Sequence, residues 1–281
     1  HQNYSYEDFV EGIRPEVRDG QVHYDVKAGV LRRLAKRAEN DPGRRYALFI
    51  DEINRGNVAK VFGELITLIE VDKRTQPGQP ERGIRATLPY SSDPFGVPSN
   101  LDIIGTMITA DRSIALLDTA LRRRFHFVEV MPDPSKISGA GGGKISDGEG
   151  GEIDLPRLLE TINERLSHLL HRDQTIGHAY FTNVRCFVDL RRVMARQVVP
   201  LLQEYFYDDW RRIQLVLADV GMSTEFQIVR QATVPVNSLY PGADPSELGD
   251  RLLFEVVPET RITPDAVRKI YEQPDAPADL S

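Results

Sequence analysis

Apolar residues along the chain recur first at one period and then at another, and the changes predict its elements. Residues 1–23 are polar with scattered aromatics (Tyr4, Tyr6, Phe9) and read as loop with short extended pieces. Val26, Val30, Leu31, Leu34 and Ala38 then fall at helical spacing, which predicts a helix over 24–40 stopped by Asp41-Pro42-Gly43. Tyr46-Ala47-Leu48-Phe49-Ile50 is a short unbroken apolar run closed by Asp51-Glu52, as in a strand buried on both faces of a parallel sheet. Asn57 can cap a helix whose Val58, Val61, Phe62, Leu65, Leu68 and Ile69 share one face. Pro, Gly and charge fill 72–100 around a strand-like Ile84–Tyr90, so a β-hairpin insertion is expected there. A second apolar run at Leu101–Ile108, a helix over Ser113–Arg124 and a third strand at His126–Val130 complete an alternation of strands and helices. That alternation predicts βαβ units and a parallel sheet.

The texture changes at 138–151 (SGAGGGKISDGEGG), which is Gly-rich and predicts a flexible linker. Beyond it the pattern is helical. Asp154 can cap a helix carrying Leu155, Leu158, Leu159, Ile162, Leu166 and Leu169. Asn183 can cap a longer one that Pro200 kinks or divides, and Asp208–Asp219 gives a third. Weak strand patterns at Val234–Val236 and Leu252–Val257 and a short helix at Pro264–Glu272 close the chain. The expected organisation is an α/β part over 1–137, the linker over 138–151, a helical part over 152–227 and an appendix over 228–281.

Composition narrows the function classes. The net charge of −7 disfavours non-specific nucleic-acid binding, which needs clustered Lys and Arg. One cysteine, Cys186, builds neither a disulfide frame nor a thiolate metal site and fits a reducing cytosol. No apolar run approaches the ~18 residues of a membrane span.

The sharpest chemical signal is Asp51-Glu52 at the end of its apolar run. Nucleotide hydrolysis must offset charge developing on a phosphoryl group. One carboxylate at a strand's carboxyl end can serve Mg²⁺ and its neighbour can orient the attacking water, because successive residues on extended chain point in different directions. On the dipeptide alone, an acidic loop start is the commoner reading, since acidic residues often follow strands.

Six blocks extend the signal: Tyr4-Ser5-Tyr6-Glu7-Asp8-Phe9, the segment Asp51–Asn57 with Lys60–Leu65, Thr109–Ser113, Ala120–Phe125, Ile176–Phe181 and Pro200–Asp209. In this order they resemble the McrB-type AAA+ proteins, the nucleotide-hydrolysing subunits of modified-cytosine restriction systems. The resemblance implies an AAA+ P-loop-type parallel sheet followed by a helical lid. It implies Asp51 as the Mg²⁺ residue, Glu52 as the catalytic carboxylate, and ATP or GTP as substrate. Arg122, Arg123 and Arg124 hold positions of arginine fingers, which reach a neighbour's γ-phosphate in a subunit ring, hexameric by family likeness; read alone, they are a solvated or salt-bridged helix end. Asp111 and Arg112 match a segment beside the nucleotide; read alone, they are a helix cap and a surface ion pair. His178 reads as a packing residue, and Tyr205, Phe206 and Trp210 as lid core. The implied partners are copies of the chain, a McrC-like endonuclease, and DNA reached through the assembly, with no membrane.

The sequence also departs from the family. No GxxxxGK(S/T) loop occurs within it; Gly139–Lys144 fails on its flanking residues Ser138 and Ile145 and on having no strand before it. The chain opens on His1, and the loop is expected upstream, in a strand-loop-helix whose strand is interior to the sheet, so that residues 1–281 alone would expose a gap. Ile108 stands where the family carries an Asn that positions water. Three functions compete: a ring-forming NTPase motor driving a nuclease, a non-hydrolysing assembly subunit, and a MoxR-like AAA+ chaperone. Ile108 and the missing loop favour the second for this chain as given, Asp51, Glu52 and the three arginines favour the first for the parent protein, and the Tyr205–Asp209 block argues against the third.

Overall fold

A computed structural model describes residues 4–108, 119–137, 142–234 and 251–272. They belong to two compact units, His1–Val128 and Glu129–Ser281.

The first unit opens with a short helix α1 (Tyr6–Phe9) and an antiparallel hairpin of β1 (Glu11–Arg18) and β2 (Gln21–Ala28). The loop and early helix expected over 1–28 are therefore replaced by a ribbon, and helix α2 starts only at Val30 and runs to Glu39. Asp19-Gly20 closes the ribbon as a two-residue turn with both φ positive, 52° and 78°. This is the turn whose twist matches that of paired strands. Strict alternation gives the ribbon one apolar face, Ile13–Val26, Pro15–Tyr24 and Val17–Val22, all exposed. Its other face is charged and neutralised internally: Arg18 pairs with Glu16 and Asp25, and Lys27 with Glu16.

Strands β3 (Tyr46–Ile50) and β6 (Leu101–Gly105) are parallel, in register from Tyr46 opposite Leu101 to Ile50 opposite Gly105. Between them come α3 (Val58–Phe62), which the Asn57 side chain caps by accepting from Lys60 N at 2.9 Å, and a minimal hairpin of β4 (Ala86–Thr87) and β5 (Pro94–Phe95). The helix expected over 58–69 breaks at Gly63, whose φ of 53° lies outside helical space, and continues as a 3₁₀ turn to Thr67. Leu31, Ala35 and Ala38 of α2 close a core with Phe62, Leu65, Leu68 and Leu101. Each such Leu contributes about 1.5–3 kcal/mol by leaving water. Helix α4 (Thr119–Arg122) is the described end of the helix expected over 113–124, whose earlier residues lie outside the described ones. The strand expected at His126–Val130 is absent: the segment pairs with no described strand, and Val128 and Val130 are exposed. An alternating sequence supplies a strand's side chains but not the partner its N–H and C=O groups require.

One buried acid ties this unit together. Glu11, fully buried at the base of the ribbon, pairs with Arg32 of α2 and accepts backbone N–H bonds from Tyr90 and Ser91, each at 2.9 Å. Arg32 also reaches Asp93.

In the second unit the segment read as a linker is, from 142 on, a hairpin of β7 (Lys144–Ser146) and β8 (Glu152–Asp154). Ile145 and Ile153 are buried, and Asp147 accepts from Glu149 N and Gly151 N while pairing with Arg268. The glycines bend the turn rather than loosen it. Helix α5 (Leu155–Leu169) follows, its N-terminus capped by Asp154 accepting from Arg157 N at 3.0 Å. The long helix is divided as Pro200 requires: α6 (Phe187–Val193) passes through a π-turn (Met194–Val198) into α7 (Val199–Phe206), which carries Pro200 in its first turn. It starts after Cys186 and not at Asn183. Asp209 caps α8 (Trp210–Val216). The tail is no separate appendix. Strands β9 (Val229–Val234) and β10 (Arg251–Val256) form an antiparallel pair, and Ala266, Val267 and Ile270 of α9 (Pro264–Tyr271) share one core with Leu158, Ile162 and Leu166 of α5. Asp219, also fully buried, accepts from Ile228 N, Val229 N and Lys269. Among the described residues no helix is long and apolar enough to cross a membrane.

Two stability predictions follow from these contacts. Glu11→Ala leaves Arg32 with Asp93 alone and takes the acceptor from the Tyr90 and Ser91 N–H groups, and urea unfolding of the first unit should show a loss of roughly 1–3 kcal/mol; an unchanged midpoint would refute the tie. Ile153→Ala should cost about 2–5 kcal/mol in thermal or urea unfolding of the second unit, whereas a flexible linker would tolerate it without effect.

Candidate functional site

Parallel pairing places the carboxyl ends of β3 and β6 side by side, where open α/β sheets bind ligands. Asp51 and Glu52 follow the end of β3, and Thr106 follows the end of β6. Thr106 binds the first loop through four hydrogen bonds. Its N–H donates to Ile50 O at 3.0 Å, and its carbonyl accepts from Ile53 N at 2.9 Å. Its hydroxyl oxygen accepts from Glu52 N at 3.0 Å, and its hydroxyl proton goes to Asp51 Oδ1.

Glu52 sits in the left-handed region, at φ 50° and ψ 50°. For a residue with a Cβ this costs of order 1–3 kcal/mol and persists only where neighbours impose it. Thr106 is the neighbour that does so. The turn brings the Glu52 carboxylate 3.0 Å from Arg55 Nε, an exposed pair one helical turn on. Gly105 makes the close approach possible, since a Cβ there would stand 3.1 Å from Ile53 Cδ1. Asn54, buried behind the loop, donates from Nδ2 to Ile108 O at 3.4 Å. So Ile108 does lie at this loop, with its apolar side chain 47% exposed.

The three arginines are not equivalent. Arg122 is exposed and lies over the Phe127 ring, 5.4 Å from its centroid. Arg123 is exposed. The Arg124 side chain is 5% exposed and pairs with Glu70 at 2.8 Å. Lys73, bonded to Glu70, and then Arg124 hold that carboxyl below the usual carboxylate range. Asp111 and Arg112 lie outside the described residues. In the second unit His178 accepts the Asp133 N–H on Nδ1 at 3.1 Å, a packing and hydrogen-bonding role. A surface recess of the first unit is lined by Asp72, Arg74, Gln76, Arg82 and neighbours, with neither Asp51 nor Glu52 among its lining residues.

Comparison with known proteins adds the family. Residues 1–125 match the AAA domain (dynein-related subfamily), and residues 154–214 match the alpha-helical lid domain of McrB. A type IV methyl-directed restriction enzyme subunit, EcoKMcrB of Escherichia coli K12, is 36% identical over 226 residues, 74% of this chain and 46% of the relative. A component of the type II restriction enzyme BsuMI of Bacillus subtilis 168, YdiS, is 26% identical over 182 residues, 62% of this chain and 51% of the relative.

The chain is a McrB-type AAA+ protein. It spans about half the length of these two relatives. In McrB-type terms the first unit carries the AAA match and the second carries the lid, whose matched residues include α5, α6 and α7. The lid match separates the chain from the chaperone alternative, as the Tyr205–Asp209 block anticipates. Thr106 is the site residue that sequence reading missed. Thr106 falls inside the apolar run read over Leu101–Ile108, and only the observed end of β6 at Gly105 sets it at a strand end.

Because Arg124 is nearly enclosed, Arg124→Ala should lower the melting temperature of the protein, while Arg122→Ala and Arg123→Ala should leave it within the ordinary surface range of about ±0.5 kcal/mol. Equal melting of all three variants would contradict the burial difference.

Proposed function

We propose that this chain is the hydrolytic part of a restriction-system NTPase, which turns over ATP or GTP with Mg²⁺ in a ring of copies and couples turnover to a McrC-like endonuclease acting on DNA. The observation that supports it is the joint placement of Asp51 and Glu52 at the carboxyl end of a parallel strand, locked to the next strand end by Thr106. Asp51 fits a hard divalent cation: one carboxylate oxygen is bonded to Thr106, and Oδ2 has no hydrogen-bond partner among the described residues. Those residues contain no group of three or more His, Cys, Asp or Glu able to hold a metal alone. Mg²⁺ keeps several waters and shares the substrate's phosphates, so one or two carboxylates suffice to hold it. Bound there, the ion would neutralise charge on the phosphoryl oxygens.

Glu52 orients the attacking water and accepts its proton. Its pair with Arg55 is exposed and contributes little, so a water can replace it. Arg122 and Arg123, exposed at the end of α4, supply the fingers to a neighbouring copy, and Arg124 anchors that end to Glu70. Asp111 and Arg112 belong beside the nucleotide. The net charge of −7 leaves DNA contact to the assembly. A second reading, a subunit that assembles without hydrolysing, is favoured by one observation: the exposed Ile108 side chain at the loop where a water-holding amide is expected.

Nucleotide turnover by the full-length protein separates the two. Glu52→Gln should lower turnover about 10²–10⁴-fold while nucleotide binding persists; equal rates exclude Glu52 as the base. Turnover that is absent in the wild type and appears in Ile108→Asn would establish the second reading.

A further inference from the structure

We propose that Thr106 is a positioning residue for the cation and the base, acting through its hydroxyl rather than through its place in the sheet. The inference rests on the Mg²⁺-dependent NTPase reading. The two main-chain bonds of Thr106, to Ile50 O and from Ile53 N, continue the strand pairing and would survive in any residue. The hydroxyl does what no other group there does. A threonine hydroxyl has one proton and two lone pairs. Here the proton is committed to Asp51 Oδ1 and a lone pair to the Glu52 N–H.

The first bond fixes the rotation of the Asp51 carboxylate and takes one lone pair of Oδ1, so Asp51 presents Oδ2 to a cation in a set orientation. Hydrogen bonds of this kind, made to a ligand and not to the metal, set ligand direction and are worth about 10–100-fold in metal affinity. The second bond holds Glu52 in its left-handed turn, which separates the direction of its side chain from that of Asp51. One hydroxyl thus sets the angle between the cation residue and the base. Thr106 and Asp51 are both exposed, so replacing the hydroxyl by a methyl removes no buried packing.

The test is Mn²⁺ binding to the full-length protein, read by electron paramagnetic resonance with a non-hydrolysable ATP or GTP analogue present. Thr106→Val should weaken nucleotide-dependent Mn²⁺ binding about 10–100-fold with the melting temperature preserved, and Thr106→Ser should restore it. If Thr106→Val unfolds, Thr106→Cys replaces it, since a thiol is a weak donor and should fail as the valine does. Wild-type Mn²⁺ affinity in the Val or Cys variant, with Asp51→Asn abolishing binding, would overturn the role of Thr106 and leave the NTPase reading standing. No nucleotide-dependent Mn²⁺ uptake by the wild type, or uptake indifferent to Asp51→Asn, would overturn both.

Discussion

The candidate site at Asp51, Glu52 and Thr106 depends on the parallel pairing of β3 with β6. Parallel strands bring like ends together, and each of these strands has five residues in unbroken register. The residue after each end is therefore placed by the sheet: Asp51 from one strand and Thr106 from the other. A one-residue slip would turn both side chains to the opposite face. The roughly fifty residues between the strands serve this arrangement. They turn sharply at Glu52, pack α3 against α1 through Phe62 and Phe9, and return through the β4–β5 hairpin to bring Leu101 beside Tyr46.

Strands β3 and β6 and the acidic end of β3 were legible in the sequence because unbroken apolar runs and a terminal carboxylate are conspicuous, but the burial on both faces expected of β3 is not found: Leu48 is buried and Phe49 is 70% exposed. The β1–β2 ribbon was not read, although Asp19-Gly20 between alternating residues is a strong hairpin signal. Val26 and Val30 happen to fall at helical spacing with Leu31 and Leu34, and that coincidence hid the alternation on the other side. The linker reading failed for a related reason: glycine content suggests freedom, but Ile145 and Ile153 flank the glycines as a cross-strand pair with a core to enter. Periodicity marked the apolar face of α9 and could not say that α5, about a hundred residues earlier, covers it. Arg122, Arg123 and Arg124 are identical letters, and only burial and Glu70 tell them apart.

Both units use a buried acid to join segments distant in sequence. Glu11 joins the ribbon, α2 and the loop after Thr87; Asp219 joins the end of α8, the start of β9 and α9. Burial pushes the Asp219 carboxyl up and the Lys269 ammonium down, each against the pull of the other. Such pairs are costly to desolvate and costlier to break singly, so they fix one arrangement of segments more than they add stability.

The buried base of the β1–β2 ribbon gives it mechanical character. An eight-residue strand extends about 26 Å, and the ribbon is held at one end, where Glu11 enters the core, while Ile13 through Val26 stand in solvent. It is a cantilever. A sideways force at the Asp19-Gly20 tip acts on Glu11 with the ribbon's length as its lever arm, and Glu11 passes that torque to α2 through Arg32 and to the 90–93 loop through two backbone bonds.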